Sequence, residues 1–266
     1  MRKLTRKQKI GIVVLLLISI YLLWENTTVG TTFYEVRNQQ IAVGMDGITI
    51  AHVSDLHNSF LWKQVITLLH DAAPDLICIT GDLVDGSRTD VDAALEFAAE
   101  AVKIAPCYFV TGNHELVISQ QEFRNLLYGL ESLGVRVLKN GTETVAIGDN
   151  RIAITGAFYG SSMYMTQCDP AANYNLLLAH VPEEFDSYAS AGFDLVLTGH
   201  AHGGQFRLPV LGGLIAPGQG IFPEYDSGVF TSGNTKMVVS RGIGNSIIPV
   251  RVFNRPELII LELKAA

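Results

Sequence analysis

Five short apolar runs set the rhythm of the chain: residues 48–55 (ITIAHVSD), 75–82 (DLICITGD), 107–114 (CYFVTGNH), 175–180 (NLLLAH) and 193–200 (FDLVLTGH). Each has the length and near-continuous hydrophobicity of a strand buried on both faces, and each stops in Asp, Asn or His. Three close on Thr-Gly followed by a residue type that binds metals: Thr80-Gly81-Asp82, Thr111-Gly112-Asn113 and Thr198-Gly199-His200. Glycine serves a backbone that must turn sharply beside a crowded site. The runs therefore predict strands that deliver side chains to one rim.

Between the runs the apolar period changes to that of helices. Asn58 or Ser59 can cap a helix carrying Leu61, Val65, Leu68 and Leu69 on one face and ending before Pro74. A second fits 89–104, with Thr89 and Asp92 at capping-box spacing and Ala93, Ala94, Phe97 and Ala101 on its inner stripe. A third begins at Ser119, with Glu122 completing the box, and stops at Gly134. From Val135 onward, 135–138, 142–147 and 151–155 read as strands of an antiparallel meander, joined by Asn140-Gly141 and Gly148-Asp149-Asn150. A helix over 183–191 precedes the fifth run. Residues 203–234, rich in Gly and Pro, should be irregular or short-stranded, and 237–240 and 258–263 close the sheets. Strands alternating with helices predict stacked α/β layers, and no linker marks a second domain within 48–266.

The first 24 residues follow a different pattern. A basic head precedes the uncharged run 10–24 (IGIVVLLLISIYLLW). As a helix those 15 residues span about 22 Å, short of the roughly 30 Å hydrocarbon core, but snorkelling Lys9 and interfacial Tyr21 and Trp24 can absorb the difference. Two readings stand, an uncleaved anchor and a cleaved signal peptide. The absence of an A-x-A-like site in the following 25–30 favours the anchor. The basic head should stay in the cytoplasm, leaving the rest extracytoplasmic and held to the cell membrane by a single pass. Residues 25–47 read as a polar connection with an edge-strand pattern at 33–36.

Charge narrows the partners. Of 19 Lys and Arg, five lie in the first nine positions, so the remainder sets 14 against 26 acids and carries −12. That excludes the basic footprint a nucleic-acid polymer needs. It leaves open a small or lipid-linked phosphate ester, where metal ions supply local positive charge. Three cysteines without spacing signatures give neither a disulfide framework nor a thiolate zinc site, and Cys78 and Cys107 read as small buried hydrophobes.

Collected from the rims, the candidate ligands are Asp55, His57, Asp82, Asn113, His180, His200 and His202, with His114 beside them. Carboxylate, imidazole and amide donors without thiolate suit Mn, Fe or Zn. The order and spacing of these fragments over about 50–263 resemble the calcineurin-like metallophosphoesterase superfamily. The stretches HAHGGQFRLP (200–209), APGQG (216–220) and SRGIGNS (240–246) resemble its bacterial membrane-associated YkuE/YaeI-like branch. That resemblance implies a four-layer αββα sandwich holding two divalent metals: Asp55, His57 and His202 on the first, Asn113, His180 and His200 on the second, Asp82 bridging. It also implies attack on phosphorus by a hydroxide shared between the metals, with His114 off the metals as the leaving-group acid.

Other residues keep two readings. Glu115, Asp85 and Asn58 either orient ligands or are solvated loop residues. Arg207 and Arg241 either grip a phosphate or form structural salt bridges. His52 and His70 read as structural. As whole functions, a probable diester preference in a phosphoesterase is weighed against a metal-binding envelope protein without turnover and against an amide hydrolase. The complete ligand set opposes the second, and the absence of an H-E-x-x-H helix opposes the third.

Overall fold

The predicted runs fold as strands in a computed structural model, which describes residues 4–160, 167–245 and 248–265. Arg2 and Lys3 of the basic head and Ser246 of the Gly-rich motif lie outside the described residues. Among the described residues there are two six-stranded sheets. The first runs β1 (Gly30–Asn38), β16 (Glu257–Ala265), β2 (Thr49–Val53), β3 (Leu76–Ile79), β4 (Cys107–Phe109), β5 (Arg136–Val137). The second runs β14 (Gly228–Ser232), β15 (Thr235–Val239), β9 (Leu195–Thr198), β8 (Tyr174–Leu178), β7 (Asn150–Gly156), β6 (Thr142–Ile147). Two small hairpins, β10 (Arg207–Leu208) with β11 (Gly212–Gly213) and β12 (Ile215–Ala216) with β13 (Gly220–Ile221), occupy the Gly-rich segment.

Alternation along each buried strand explains the layering. Ile50, Cys78 and Tyr108 of the first sheet meet Ile154, Leu176 and Leu197 of the second in one core between the sheets. Their neighbours Ala51, Ile77 and Phe109 face outward against α2 (Trp62–Ala72), α3 (Val91–Ala101) and α5 (Gln120–Ser132), which contribute Leu69, Phe97 and Leu126. On the far side Leu177, Val196 and Met237 pack with Phe185 and Tyr188 of α6 (Phe185–Ser190). The result is the αββα sandwich. Since β2, β3 and β4 run parallel in one sheet and β7, β8 and β9 in the other, the five apolar runs end along one edge.

Several local expectations shift. β5 pairs parallel with β4, so only β6 and β7 form the antiparallel hairpin; Asn140, in left-handed backbone (φ 57°), carries the chain from one sheet to the other. Asp90, not Thr89, caps α3, accepting from Ala93 N at 3.0 Å, while the Thr89 hydroxyl donates to the Asp85 carbonyl. The Ser119–Glu122 capping box of α5 forms as expected. A short helix, α4 (Asn113–Val117), follows the third rim directly and went unanticipated. The N-terminal helix α1 (Arg6–Thr27) has 22 residues, about 33 Å at 1.5 Å per residue, long and apolar enough to cross a membrane. It extends beyond the apolar run because Glu25 and Asn26 bond to the 251–254 segment instead of forming a loose connection.

Candidate metal centre

The rim residues take an unusual backbone. Asp55 (φ 53°), His57 (47°), Asp82 (53°), His200 (67°) and His202 (47°), five of the seven expected ligands, are left-handed. Non-glycine residues adopt that region at a cost, and such strain gathers where side chains must be aimed. The neighbouring glycines serve different needs. Gly81 turns at φ 92°, but Gly112 and Gly199 are there for space: a Cβ on Gly112 would collide with the Asp82 carboxylate, and one on Gly199 with Ser54 and the Asp55 carboxylate.

These turns gather the side chains into groups, Asp55 with His57 and His202, and Asp82 with His180 and His200, and His57 also meets Asp85 and His114 in a third. His202 Nε2 lies 3.5 Å from Asp55 Oδ1 and 3.2 Å from His57 Nε2. His180 Nε2 lies 3.3 Å from Asp82 Oδ2, 3.1 Å from Asn113 Oδ1 and 3.2 Å from His200 Nδ1. Asp82 belongs to both neighbourhoods, since the same Oδ2 is 3.5 Å from His57 Nε2. All seven expected positions therefore converge on one rim.

Whether a cation fits here follows from one tautomer. His180 Nδ1 is 2.7 Å from the Thr80 carbonyl, which can only accept, so the ring carries its proton there and turns the Nε2 lone pair inward. That lone pair meets a carboxylate oxygen and an amide oxygen, both acceptors, beside the Nδ1 of His200. A positive centre among them resolves the clash, and the backbone carbonyl behind the ring is the usual support of a metal-binding imidazole. Without a metal a proton takes the role: burial opposes it, but the adjacent Asp82 carboxylate raises His180 to about 10. Burial likewise works against the charge on Asp82, yet the His180 and His57 rings hold it ionised at about 2. Burial lowers His202 to about 3 and His200 to about 4, leaving neutral imidazoles with lone pairs to give. The donor set fits divalent cations.

The structure gives the residues with two readings definite partners. Glu115 is fully buried; its Oε2 accepts from Asp82 N at 2.9 Å and Gly112 N at 2.7 Å, and its Oε1 from Val84 N at 3.2 Å. Burial and the Asp82 charge push it up to about 7. It ties the Asp82 turn to the Asn113 turn. Asp85 caps its own loop through Ser87 and Arg88 and comes 3.9 Å from His57 Nδ1. Asn58 donates to the Arg88 carbonyl. Arg207 pairs with Asp226 at 3.1 Å and Arg241 with Glu257 at 2.6 Å, the salt bridges of one of the two readings. His52 is buried against the Thr80 hydroxyl, and His70 is exposed at the end of α2.

His114 stands at the border of the first group, its ring 4.5 Å from that of His57 in edge contact. Gly86 N donates to its Nδ1 at 2.8 Å, which makes it the neutral tautomer protonated on Nε2. Two supports escaped sequence reading. Asn254 Nδ2 donates to the carbonyls of His202 (2.7 Å) and Gln205 (3.1 Å), and the fully buried Arg251 donates to those of Gly244 (2.5 Å) and Arg241 (2.8 Å). Both lie outside any motif, and nothing in their local pattern announces burial.

Replacing Glu115 with Gln leaves one oxygen for three backbone N–H groups. The expected outcome is a 10–100-fold weaker affinity for Mn²⁺, the range of orienting partners, with turnover at saturating metal close to wild type. Calorimetric titration with a parallel melting curve checks it, because a merely structural role would move the melt and not the affinity.

Residues 48–204 match the family model for calcineurin-like phosphoesterase. The chain is 30% identical over 250 residues to the phosphodiesterase YaeI of Escherichia coli (strain K12), covering 87% of this chain and 88% of that one. It is 28% identical over 250 residues to the uncharacterized metallophosphoesterase YkuE of Bacillus subtilis (strain 168), covering 88% and 85%. The solved NAD nucleotidase (NadN) of Haemophilus influenzae shares the fold at TM-score 0.52 and 17% identity, over 73% of this chain and 45% of that one. The chain belongs to the calcineurin-like phosphoesterase family and is a metal-dependent phosphoric ester hydrolase.

Proposed function

We propose that the chain is a membrane-anchored phosphodiesterase working with two divalent cations, Mn, Fe or Zn, on a small or lipid-linked phosphate ester. The observation that carries the reading is the place of Asp82 Oδ2 between the two groups, 3.3 Å from His180 Nε2 in one and 3.5 Å from His57 Nε2 in the other. Asp55, His57 and His202 would hold one cation, Asn113, His180 and His200 the other, with Asp82 serving both. When bound, such a pair supplies Lewis acidity to phosphoryl oxygens and a hydroxide-like nucleophile at neutral pH. Asn113 would ligate through its side-chain oxygen, because an amide nitrogen has no lone pair to give.

The protein's own groups do the rest. Thr80 fixes the His180 tautomer, Glu115 fixes the two turns, and the left-handed ligands meet without reorganisation, the condition for electrostatic stabilisation. Water adds to phosphorus as the bond to the leaving oxygen breaks; the proton that the water gives up passes to solvent, the leaving oxygen takes one from solvent, and His114 meets the charge on that oxygen in the meantime with a hydrogen bond. Its Nε2–H is the end that can donate. The Gly86 N–H on Nδ1 disfavours the imidazolium, so the role read from the sequence, a full proton transfer, narrows to a hydrogen bond from the neutral ring.

For placement, residues 1–24 would form the anchor, with the head in the cytoplasm and the 48–266 phosphoesterase domain outside, its first sheet completed by β1 from the 25–47 connection. Stripping metal from the full chain is expected to abolish hydrolysis of a chromogenic phosphodiester, and Mn²⁺, Zn²⁺ or Fe²⁺ to restore it. A chain that regains two equivalents of metal yet prefers the monoester, or cleaves neither, would overturn the diester reading.

A further inference from the structure

The anchor helix does not hang from the domain by a flexible tether. Tyr21 Oη accepts from Phe253 N at 2.9 Å, Glu25 accepts from Asn254 N, and Asn26 brackets Arg251, accepting from its N at 2.7 Å and donating to its O at 3.0 Å. Gln64 fastens the next residues through the Thr27 carbonyl (2.8 Å) and Val29 N (3.2 Å), and the Arg255 guanidinium lies 5.0 Å over the Trp24 ring. Topology decides which end of the domain this is. Gly30 pairs with Glu257 at the start of two parallel strands, and β16 runs antiparallel to β2, whose far end leads into Asp55. The helix therefore joins at the metal rim. Asn254, which bonds to Glu25, also holds the His202 carbonyl.

Around this junction the rim is apolar and exposed. Leu208 (40%), Val210 (105%), Leu211 (66%), Ile221 (69%), Phe222 (58%) and Phe253 (56%) all face outward. They are one surface, not scattered side chains: Phe206 bridges Val252, Leu214 N donates to Phe206 O at 2.7 Å, and Phe222 N to Leu214 O at 2.9 Å. Phe253 stands 5.5 Å from Tyr21, so the patch is continuous with the helix. Val210 (φ 73°), Phe222 (55°) and Phe253 (52°) sit in left-handed backbone, a region that non-glycine residues enter at a cost. Contiguous exposed apolar surface marks an interaction face.

We infer that this rim, residues 208–222 with Phe253, inserts into the bilayer surface that α1 enters and seats the metal centre at the level of lipid headgroups. The inference rests on the anchoring reading. Arg207 in the same segment is already paired with Asp226, so apolar burial, about 5–10 Å deep as for interfacial helices, and not a basic face makes the contact. Phosphates carried on lipids come within reach of the site without leaving the membrane.

The test uses the full chain with Cys168→Ser, since Cys78 and Cys107 are buried and silent to labelling. Single cysteines at Leu211→Cys, Phe222→Cys and, as the opposite-pole control, Val43→Cys carry an environment-sensitive fluorophore. Val43 follows the C-terminal end of β1 and is 86% exposed. The protein is reconstituted into phosphatidylethanolamine–phosphatidylglycerol vesicles with and without nitroxide-labelled lipid, and hydrolysis of a soluble diester verifies the fold of each variant. Severalfold stronger quenching at 211 and 222 than at 43, unchanged by high salt, is the expected result. A chain that resists alkaline carbonate extraction but shows equal quenching at all three positions overturns the seated rim while leaving the anchor. One that carbonate strips from the vesicles overturns the anchor, and the rim with it.

Discussion

Asp82→Asn lowers phosphodiester turnover at saturating Mn²⁺ by about 10³-fold or more, beyond the 10²–10³-fold loss typical of removing one preorganised donor from a charged site. Asp82 serves the rim with every atom it has. Oδ2 faces both His57 and His180, Oδ1 accepts from His114 N at 2.8 Å, and its own N donates to Glu115. Asparagine keeps the shape and tolerates the left-handed backbone at φ 53° better than other replacements, so the fold survives. What it cannot keep is the charge between the two imidazole groups or a second oxygen. Metal content measured by plasma mass spectrometry should fall with turnover while the circular dichroism spectrum stays put. Full activity with unchanged metal content would remove Asp82 from the centre of the mechanism.

The strands and rim turns were legible because both rest on local chemistry. A strand buried on two faces must be apolar throughout, so 48–53 or 193–198 stands out in the bare sequence, and a strand that ends in Thr-Gly-Asp or Thr-Gly-His advertises a crowded turn. The pairing of β1 with β16 was not legible, since its residues are separated by most of the chain and each strand alone fits any sheet edge. The end of α1 was missed for a related reason. Glu25-Asn26-Thr27 is polar and reads as a connection, and it becomes helix because those side chains find partners in 251–254. α4 carries a local signal in the sequence: Glu115 stands three residues after Gly112 and reaches back to its N–H, the reach of a capping residue. Arg251 has none, because burial of a guanidinium depends on four nearby carbonyl and amide oxygens, from Arg241, Gly244, Asn245 and Asn254, being turned onto it by an irregular segment that follows no period.

His114→Ala should cost about 10²-fold or more in kcat, the effect of deleting a donor to developing charge, and a comparison with His114→Gln decides how the residue acts. With Nδ1 held by Gly86 N–H, the ring offers a proton on Nε2 but cannot surrender it without becoming an imidazolate. A neutral hydrogen-bond donor is what remains, and glutamine is one too. If that is the role, His114→Gln recovers a substantial part of the activity lost in His114→Ala, and both variants suffer more on diesters with alkyl leaving groups than on nitrophenyl esters, whose leaving oxygen carries less charge. If His114 instead transfers its proton, glutamine is as poor as alanine, because an amide does not serve as an acid at neutral pH. In that case the Gly86 contact must break during turnover, and a leaving-group series on the two variants gives the same steep slope. Equal losses on alkyl and nitrophenyl esters would sink both roles and leave His114 as a group that positions the His57 ring it touches.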